Sequence, residues 1–506
     1  MALTINGTSS AVALKTDTSN IGLGANAVDS ITTGDYNVGI GDDAMTATTE
    51  GGYNVAVGHE AMKANTTGGN NVSIGDSSME ANTTGNNNVA VGRGAFTVNT
   101  TGSENTAVGK GSLDANTTAD GNTSIGTNAM GENTTGANNV AVGKTALTTN
   151  STGTQNTALG KSAMHFNTTG SYNTACGYES LVSNTTGEYN TAYGSASLDA
   201  NTTGVRNTAI GRHSMTANTT GGYNTAVGMS SLYSATTASD NVAVGYSAMV
   251  SSTTAGNSVS IGVSSMRDNV SSNANTAVGH EALKTLTSGS GGNVALGINS
   301  LRNATTGSYN TCAGHSSGAD TVNLTTGAGN VVLGAFCRTS ASNSQYAFVM
   351  GYNLGGEGGY TTFGNNTSDI RAAHGNTTWS APSDERLKEE ITTSTAGLSF
   401  VNDLRPVTYK WKKEKDIPTN LAGYVEGSET RYKTDVTEHG FIAQEVKTVI
   451  DSHPEIKDGF DMWSQDGADG RQRIADGALI PVLVKAIQEL SAKNTALEAR
   501  ITTLEG

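Results

Sequence analysis

From Gly24 to Gly279 a glycine recurs every seventeen residues, sixteen times without a slip. With each of these glycines set as position zero, Asn stands at minus four from Asn20 to Asn275, Ser258 being the one exception. Minus three is always Ile, Val or Thr, and minus one is aliphatic except at Cys176 and Tyr193. Plus four is always Val, Leu, Met or Phe, as in Val28, Phe96, Leu147 and Leu283. So short and strict a period implies a solenoid, one coil per repeat.

One coil can be read from its residues. Asn88-Val89-Ala90-Val91-Gly92 has the character of a short strand, and alternation puts Val89 and Val91 on one face and Ala90 on the other. The expectation is that minus three, minus one and plus four (Val91, Leu113 and Val142 among them) point inward. Plus one, which runs through His59, Arg93, Lys110, Tyr178 and Val263, is expected to face solvent. Asn99-Thr100-Thr101-Gly102 has the residues of a turn, since Asn and Gly accept left-handed backbone. Coils stacked at about 4.8 Å make a rod on the order of 75 Å long. Asn repeated at one position of every coil implies a ladder of side-chain amides. The expected fold is mainly β: a parallel β-solenoid, or β-roll, of 17-residue coils.

A coil this short encloses few side chains, and aromatic residues make up only 5% of the chain. One roll alone buries little apolar surface, so association about a single axis is expected.

All five prolines lie at or beyond Pro382, as expected if the residues before it sit in hydrogen-bonded ladders. Charge is sparse up to the same point and dense after it. The repeat degrades after Gly279, its glycine returning at Gly297, Gly314, Gly334, Gly351 and Gly364. These changes divide the chain into an attachment segment 1–19, regular coils 20–286, degenerate coils 287–382 forming a cap or tip, and a final domain 383–506 whose end, 479–506, has coiled-coil character.

The net charge of −15 argues against a nucleic-acid partner. No apolar run is long enough to insert in a membrane, and Met1–Asn20 lacks the pattern of a signal peptide. The chain is expected to be made in a reducing cytoplasm. Cys176, Cys312 and Cys337 are an odd, scattered set, and Cys176, replacing a core Val, reads as a buried thiol. No motif calls for a metal or another cofactor, and none is expected.

The final domain opens with Pro382-Ser383-Asp384-Glu385-Arg386-Leu387-Lys388. It continues through Leu404-Arg405-Pro406-Val407-Thr408-Tyr409-Lys410-Trp411 and Gly440-Phe441-Ile442-Ala443-Gln444-Glu445-Val446, and ends in Leu479-Ile480-Pro481-Val482-Leu483-Val484-Lys485-Ala486-Ile487. These segments, in this order, resemble the intramolecular chaperone domain of phage tail spikes and fibres, the S74 peptidase family. The resemblance covers about residues 383–506 and implies a small α+β domain that trimerises, directs folding of the fibre before it, and then cuts itself off. Carried over, Ser383 is the nucleophile, Lys388 its base, and the Pro382–Ser383 bond the cleavage site: a single-turnover reaction with no external substrate. A hydroxyl needs such a base, and a partly desolvated Lys can serve as one. Read without the resemblance, Ser383-Asp384 caps a local turn and Lys388 is a solvated charge.

In the last helix Leu483, Ile487, Leu490, Asn494, Leu497, Ile501 and Leu504 alternate spacings of four and three, a coiled-coil seam in which Asn494 sets register. The heptads leave dimer and trimer open; the resemblance favours a homotrimer. The Asn-Thr-Ala-Val-Gly core of the coils, with a following Ala-Leu, is similar in style to the head repeats of trimeric autotransporter adhesins, which are left-handed parallel β-rolls packed as trimers.

Together these readings point to a phage tail fibre: a virion-tail protein that joins other tail proteins through its N-terminus and meets a glycan or protein on a bacterial surface. A polysaccharide depolymerase and a bacterial trimeric surface adhesin are the alternatives. Acidic residues such as Asp76, Glu104 and Asp114 are scattered at variable positions, which offers a depolymerase no paired carboxylates. Position minus five holds Tyr36, Tyr53, Tyr172, Tyr189, Tyr223 and Tyr309, candidate glycan contacts on one column of the rod or, equally in character, a ladder that stabilises a turn.

Overall fold

The computed structural model describes residues 12–15, 19–366, 368–376, 379–381, 383–421, 423–465 and 470–505. The chain divides into two compact units, residues 1–382 and 383–506.

The first unit is a parallel β-solenoid. Each coil contributes a three-residue strand from minus three to minus one, paired in parallel with the strand seventeen residues on: Val91 opposite Val108, Val142 opposite Leu159, Ile210 opposite Val227. Where the repeat is irregular the ladder continues. Val278 pairs with Leu296, Ala313 with Leu333 and Met350 with Phe363, so spacings of 18, 20 and 13 change only the connecting segments. The stack ends in antiparallel strands. Val12–Lys15 pairs with Asn20–Leu23 at the start, and Ser368–Ala373 folds back on Tyr360–Asn365 at the finish.

The glycine at zero has two causes. Its φ lies near +130°, as at Gly92 (135°) and Gly109 (132°), a region L side chains rarely adopt. A Cβ on Gly92 would also stand 2.6 Å from the carbonyl oxygen of Gly109 in the next coil. Stacked coils approach too closely there for any side chain.

The strand's inward face differs from the sequence expectation. Plus four is inward as expected: Met62, Phe96, Leu113 and Leu147 are fully buried. On the strand, however, the buried residue is the small one at minus two, Ala90, Ala107 and Ala141 among them, at 0% exposure. Val91 and Val142 are only half-buried, and Ile74 and Ile125 at minus one are 40% exposed. In the regular coils the plus-four side chain fills the interior beside the strand, and minus two is never larger than Ala or Ser. Cys312, Val332 and Val349 fit at minus two only where plus four is Gly318, Arg338 or Gly355. The larger aliphatic groups therefore turn outward. Cys176, at minus one, is for the same reason half-exposed rather than buried, whereas Cys312 at minus two is buried and its thiol is pushed up to about 12 by desolvation. His59, Arg93, Lys110, Tyr178 and Val263 at plus one all face solvent, as expected.

Two ladders of buried amides run inside the stack. At minus four, the side-chain Nδ2 of Asn54 donates to Asn37 Oδ1 (3.0 Å) and to the turn carbonyl of Gly68 (2.9 Å), and its backbone N–H donates to the same Asn37 Oδ1. At plus seven, Asn82 Nδ2 donates to Asn65 Oδ1 (2.9 Å) and to Gly85 O (3.1 Å). The second ladder is formed by the Asn of Asn-Thr-Thr-Gly, which the sequence shows only as a turn. Each amide ties one coil to the last and closes its own coil, satisfying backbone groups that no strand partner reaches.

In the second unit, helices α1 (Leu398–Asp403), α2 (Ala443–Ser452) and α3 (Ile480–Glu505) enclose a core of Phe400, Leu404, Val446, Ile450, Met462 and Val482. Glu489 on α3 accepts a hydrogen bond from the free backbone N–H of Leu398 at the start of α1 (3.0 Å). Two short antiparallel hairpins, Val407–Tyr409 with Glu438–Gly440 and Trp463–Gln465 with Gln472–Ile474, complete the unit. Among the described residues no helix is long and apolar enough to cross a membrane.

Candidate functional site

The first residues of the second unit form a tight turn. Asp384 caps a 3₁₀ turn, Glu385–Leu387, by accepting from the backbone N–H of Arg386 (2.9 Å), and its carboxylate also takes a bidentate contact from the Arg386 guanidinium. That guanidinium holds the Asp384 carboxyl below its usual range. Lys388 closes the turn, its backbone N–H donating to Glu385 O (3.0 Å). The turn folds the five-residue interval between Ser383 and Lys388 back on itself, and Lys388 Nζ donates to Ser383 Oγ at 2.7 Å.

Capping and pairing are therefore one structure. Asp384 makes the local turn that the residue types favour, and the turn brings the hydroxyl to the amine. Both Ser383 and Lys388 are exposed in the single chain. Pro382 lies outside the described residues.

Residues 383–453 match the Peptidase S74 family model, the chaperone of endosialidase. The match begins at Ser383, the first residue of the second unit. No curated protein and no solved structure matched the chain.

The residues expected to form a seam in the last helix of the second unit are uncovered in the single chain. Leu483, Ile487, Leu490, Leu497, Ile501 and Leu504 of α3 are all exposed, from 38% at Leu483 to 84% at Leu504, and Asn494 is exposed with them. The inner side of α3 is held by Val482 and Ala486, both buried.

The tyrosines of minus five stand on one column, each at positive φ, as Tyr36 (61°) and Tyr189 (57°) do. Tyr36 stacks on Tyr53 with ring centroids 4.9 Å apart, and Tyr172 on Tyr189 at 4.9 Å with planes 5° apart. Arg206, at minus five between Tyr189 and Tyr223, lies 5.6 Å and 5.3 Å from their ring centres and donates from Nη1 to Tyr223 Oη (2.8 Å). The structure thus joins Tyr172, Tyr189, Arg206 and Tyr223 into one run and leaves Tyr309 apart from it. The arginine was not singled out in the sequence, although its register position marks it.

Beyond the dyad, His453 is held between two carboxylates, with Nε2 2.9 Å from Asp403 Oδ2 and Nδ1 2.9 Å from Glu455 Oε1. These contacts, Glu455 first, raise its pKa. Asp403 and His453 are fifty residues apart, and no spacing rule pairs them. Among the described residues Asp43, His59 and Glu60 also gather ligand atoms within 4.8 Å. Glu60 there is paired with Lys63 (2.6 Å) and His59 with Asp76 (3.2 Å).

Proposed function

We propose that this chain is a homotrimeric phage tail fibre: a β-solenoid rod that attaches a virion to a bacterial surface and is assembled by its own S74 domain. The observation that carries the reading is the paired exposure of apolar surface in both units. The apolar residues of α3 in the second unit stand uncovered, and so do the larger aliphatic groups at minus one along the coils. A soluble chain seldom leaves so long an apolar column to water. Packing three copies by their strand faces and three α3 helices by their seams covers both.

The same reading gives the Ser383–Lys388 contact a single-turnover role. Lys388 takes the Ser383 hydroxyl proton, and Oγ attacks the carbonyl carbon of Pro382. The Pro382 C–N bond breaks, Lys388 returns the proton to the departing Ser383 amine, and the acyl group rests on Oγ as an ester. Water then hydrolyses the ester, releasing residues 1–382. Burial of Lys388 in an assembled interface favours its neutral form, so the base becomes competent on trimerisation. The exposed tyrosines serve as glycan contacts on this reading, and a tail protein holds the N-terminus.

The test is a gel of freshly expressed chain, boiled and unboiled, with light scattering of the native sample. A trimer with a fragment starting at Ser383 supports the proposal. A monodisperse monomer, or an intact chain after prolonged incubation of a proven trimer, overturns the corresponding half.

A further inference from the structure

We propose that the plus-one column between Arg93 and Lys161 binds a linear anionic polysaccharide laid along the axis of the coils. This inference rests on the reading of the first unit as a surface-binding rod and names the ligand class for one of its faces.

Between Lys63 and Arg206 the coils carry four cations, Arg93, Lys110, Lys144 and Lys161, and every one falls at plus one. All four are exposed. The parallel register sets Arg93 directly beside Lys110 and Lys144 beside Lys161, one ladder spacing apart. Stacked like charges at about 4.8 Å repel within the screening distance of physiological salt. Elsewhere most cations of the coils are neutralised, Arg212, itself at plus one, being an exposed exception. Lys63 pairs with Glu60, Arg267 with Asp268, Lys284 with Glu281, and Arg206 is held between tyrosine rings. Even the plus-one column pairs its charge further back, where His59 meets Asp76. Among the described residues none of the four column cations has a carboxylate partner; Lys161 alone has a ring beneath it, Tyr178 at 5.4 Å.

Such an arrangement adds no ion pair to the fold, although the register also places Asp76 one coil before Arg93, in a chain whose net charge is −15. It complements a ligand that carries negative charge at intervals of one or two coils along a line. A polyuronate has that form, and the Tyr178 ring beside Lys161 offers an apolar face for a sugar. A nucleic acid needs a broadly basic surface, which an acidic chain of this composition does not provide.

The test uses the full chain with alginate oligomers as the polyuronate, dextran oligomers of equal length as the neutral control, and oligo-dT as a second polyanion. Calorimetry at 50 and 200 mM salt is expected to show alginate binding that weakens at least tenfold with salt, no dextran binding, and weaker binding of oligo-dT. Replacing all four cations (R93Q, K110Q, K144Q, K161Q) should reduce alginate affinity at least tenfold without lowering the melting temperature, whereas K63Q/K284Q should leave affinity unchanged. Should the fourfold variant fail to fold, the single reversal K144E serves in its place, with a loss of at least threefold expected. Absence of alginate binding, equal binding of dextran, tighter binding of oligo-dT, or an unchanged fourfold variant overturns the proposal. So does a fourfold variant that melts lower and dissociates, because the cations then pair with a neighbouring copy. Adsorption to bacteria is scored separately: a chain that adsorbs but ignores alginate overturns only this inference, and one that never adsorbs overturns the fibre reading.

Discussion

Asn99 Nδ2 donates to Asn82 Oδ1 in the preceding coil at 2.8 Å, with both side chains fully buried. Asn99 Oδ1 in turn accepts from Asn116 Nδ2 and from the backbone N–H of Gly102. Asn99→Ala strands the groups of Asn82, Asn116 and Gly102 at once, each at about 1–3 kcal/mol. Chemical denaturation is expected to show a large fall in midpoint, while Thr101→Ala, on the exposed side of the same turn, changes it little.

Gly92→Ala is expected to cost about 3 kcal/mol or more, because it adds strain at positive φ to a collision with the next coil's backbone. By comparison Gly94→Ala, also at positive φ but with no atom nearer than 3.6 Å, should cost about 1 kcal/mol. Equal losses at the two positions would show that the close approach carries no weight.

On the proposed mechanism Ser383→Ala should abolish chain cleavage and leave assembly intact, since the hydroxyl belongs neither to the α3 seam nor to the strand faces proposed to join the copies. Lys388→Gln should do the same, and Lys388→Arg, which keeps the charge but cannot act as a base, should also fail to cut. Mass spectrometry of the purified protein reads all three outcomes, and light scattering reads assembly. Cleavage in Ser383→Ala removes that hydroxyl from the reaction.

His453 and Glu455 make the stability of the second unit depend on pH in a definite direction. The His453 pKa is raised from 6.5, so its contribution is complete below that value and is lost as pH rises through the higher folded one. The Glu455 pKa is lowered from 4.5, first by His453, so its contribution is complete above that value and is lost as pH falls through the lower folded one. The unit should therefore be most stable in mild acid, between about 4.5 and 6.5. Denaturation of the full chain followed through tryptophan fluorescence, with Trp379→Phe to leave Trp411 and Trp463 of the second unit as the reporters, should show that optimum. His453→Gln should flatten the alkaline limb.

Deleting residues 383–506 before folding should give aggregated or misregistered solenoid, because a slip by one whole repeat satisfies nearly every core position. Removing the same residues after folding should leave the rod intact. Soluble, heat-resistant trimers from a chain ending at Pro382 would show that register is set elsewhere.

The period, the glycine at zero, the inward plus-four side chain and the minus-four amide ladder were legible because each repeats unchanged through many coils. The inward face of the strand was not. Val91 outranks Ala90 in hydrophobicity, but the plus-four side chains Phe96 and Leu113 fill the thin interior, and only a small residue fits opposite them. Pattern reveals apolarity without revealing which side of a three-residue strand is enclosed. The second amide ladder was hidden for a related reason: Asn99 in Asn-Thr-Thr-Gly already has a sufficient local explanation. At the candidate site, the motif pointed to Ser383 and Lys388, but only the Asp384-capped turn shows how a five-residue interval closes to 2.7 Å.

The antiparallel strands at Val12–Lys15 and Ser368–Ala373 close both ends of the ladder while leaving its interior uniform. Reach is consequently a modular quantity. Duplication of any seventeen-residue unit adds about 4.8 Å and alters neither terminus, so descendants of such a gene can retune their span in whole-coil steps.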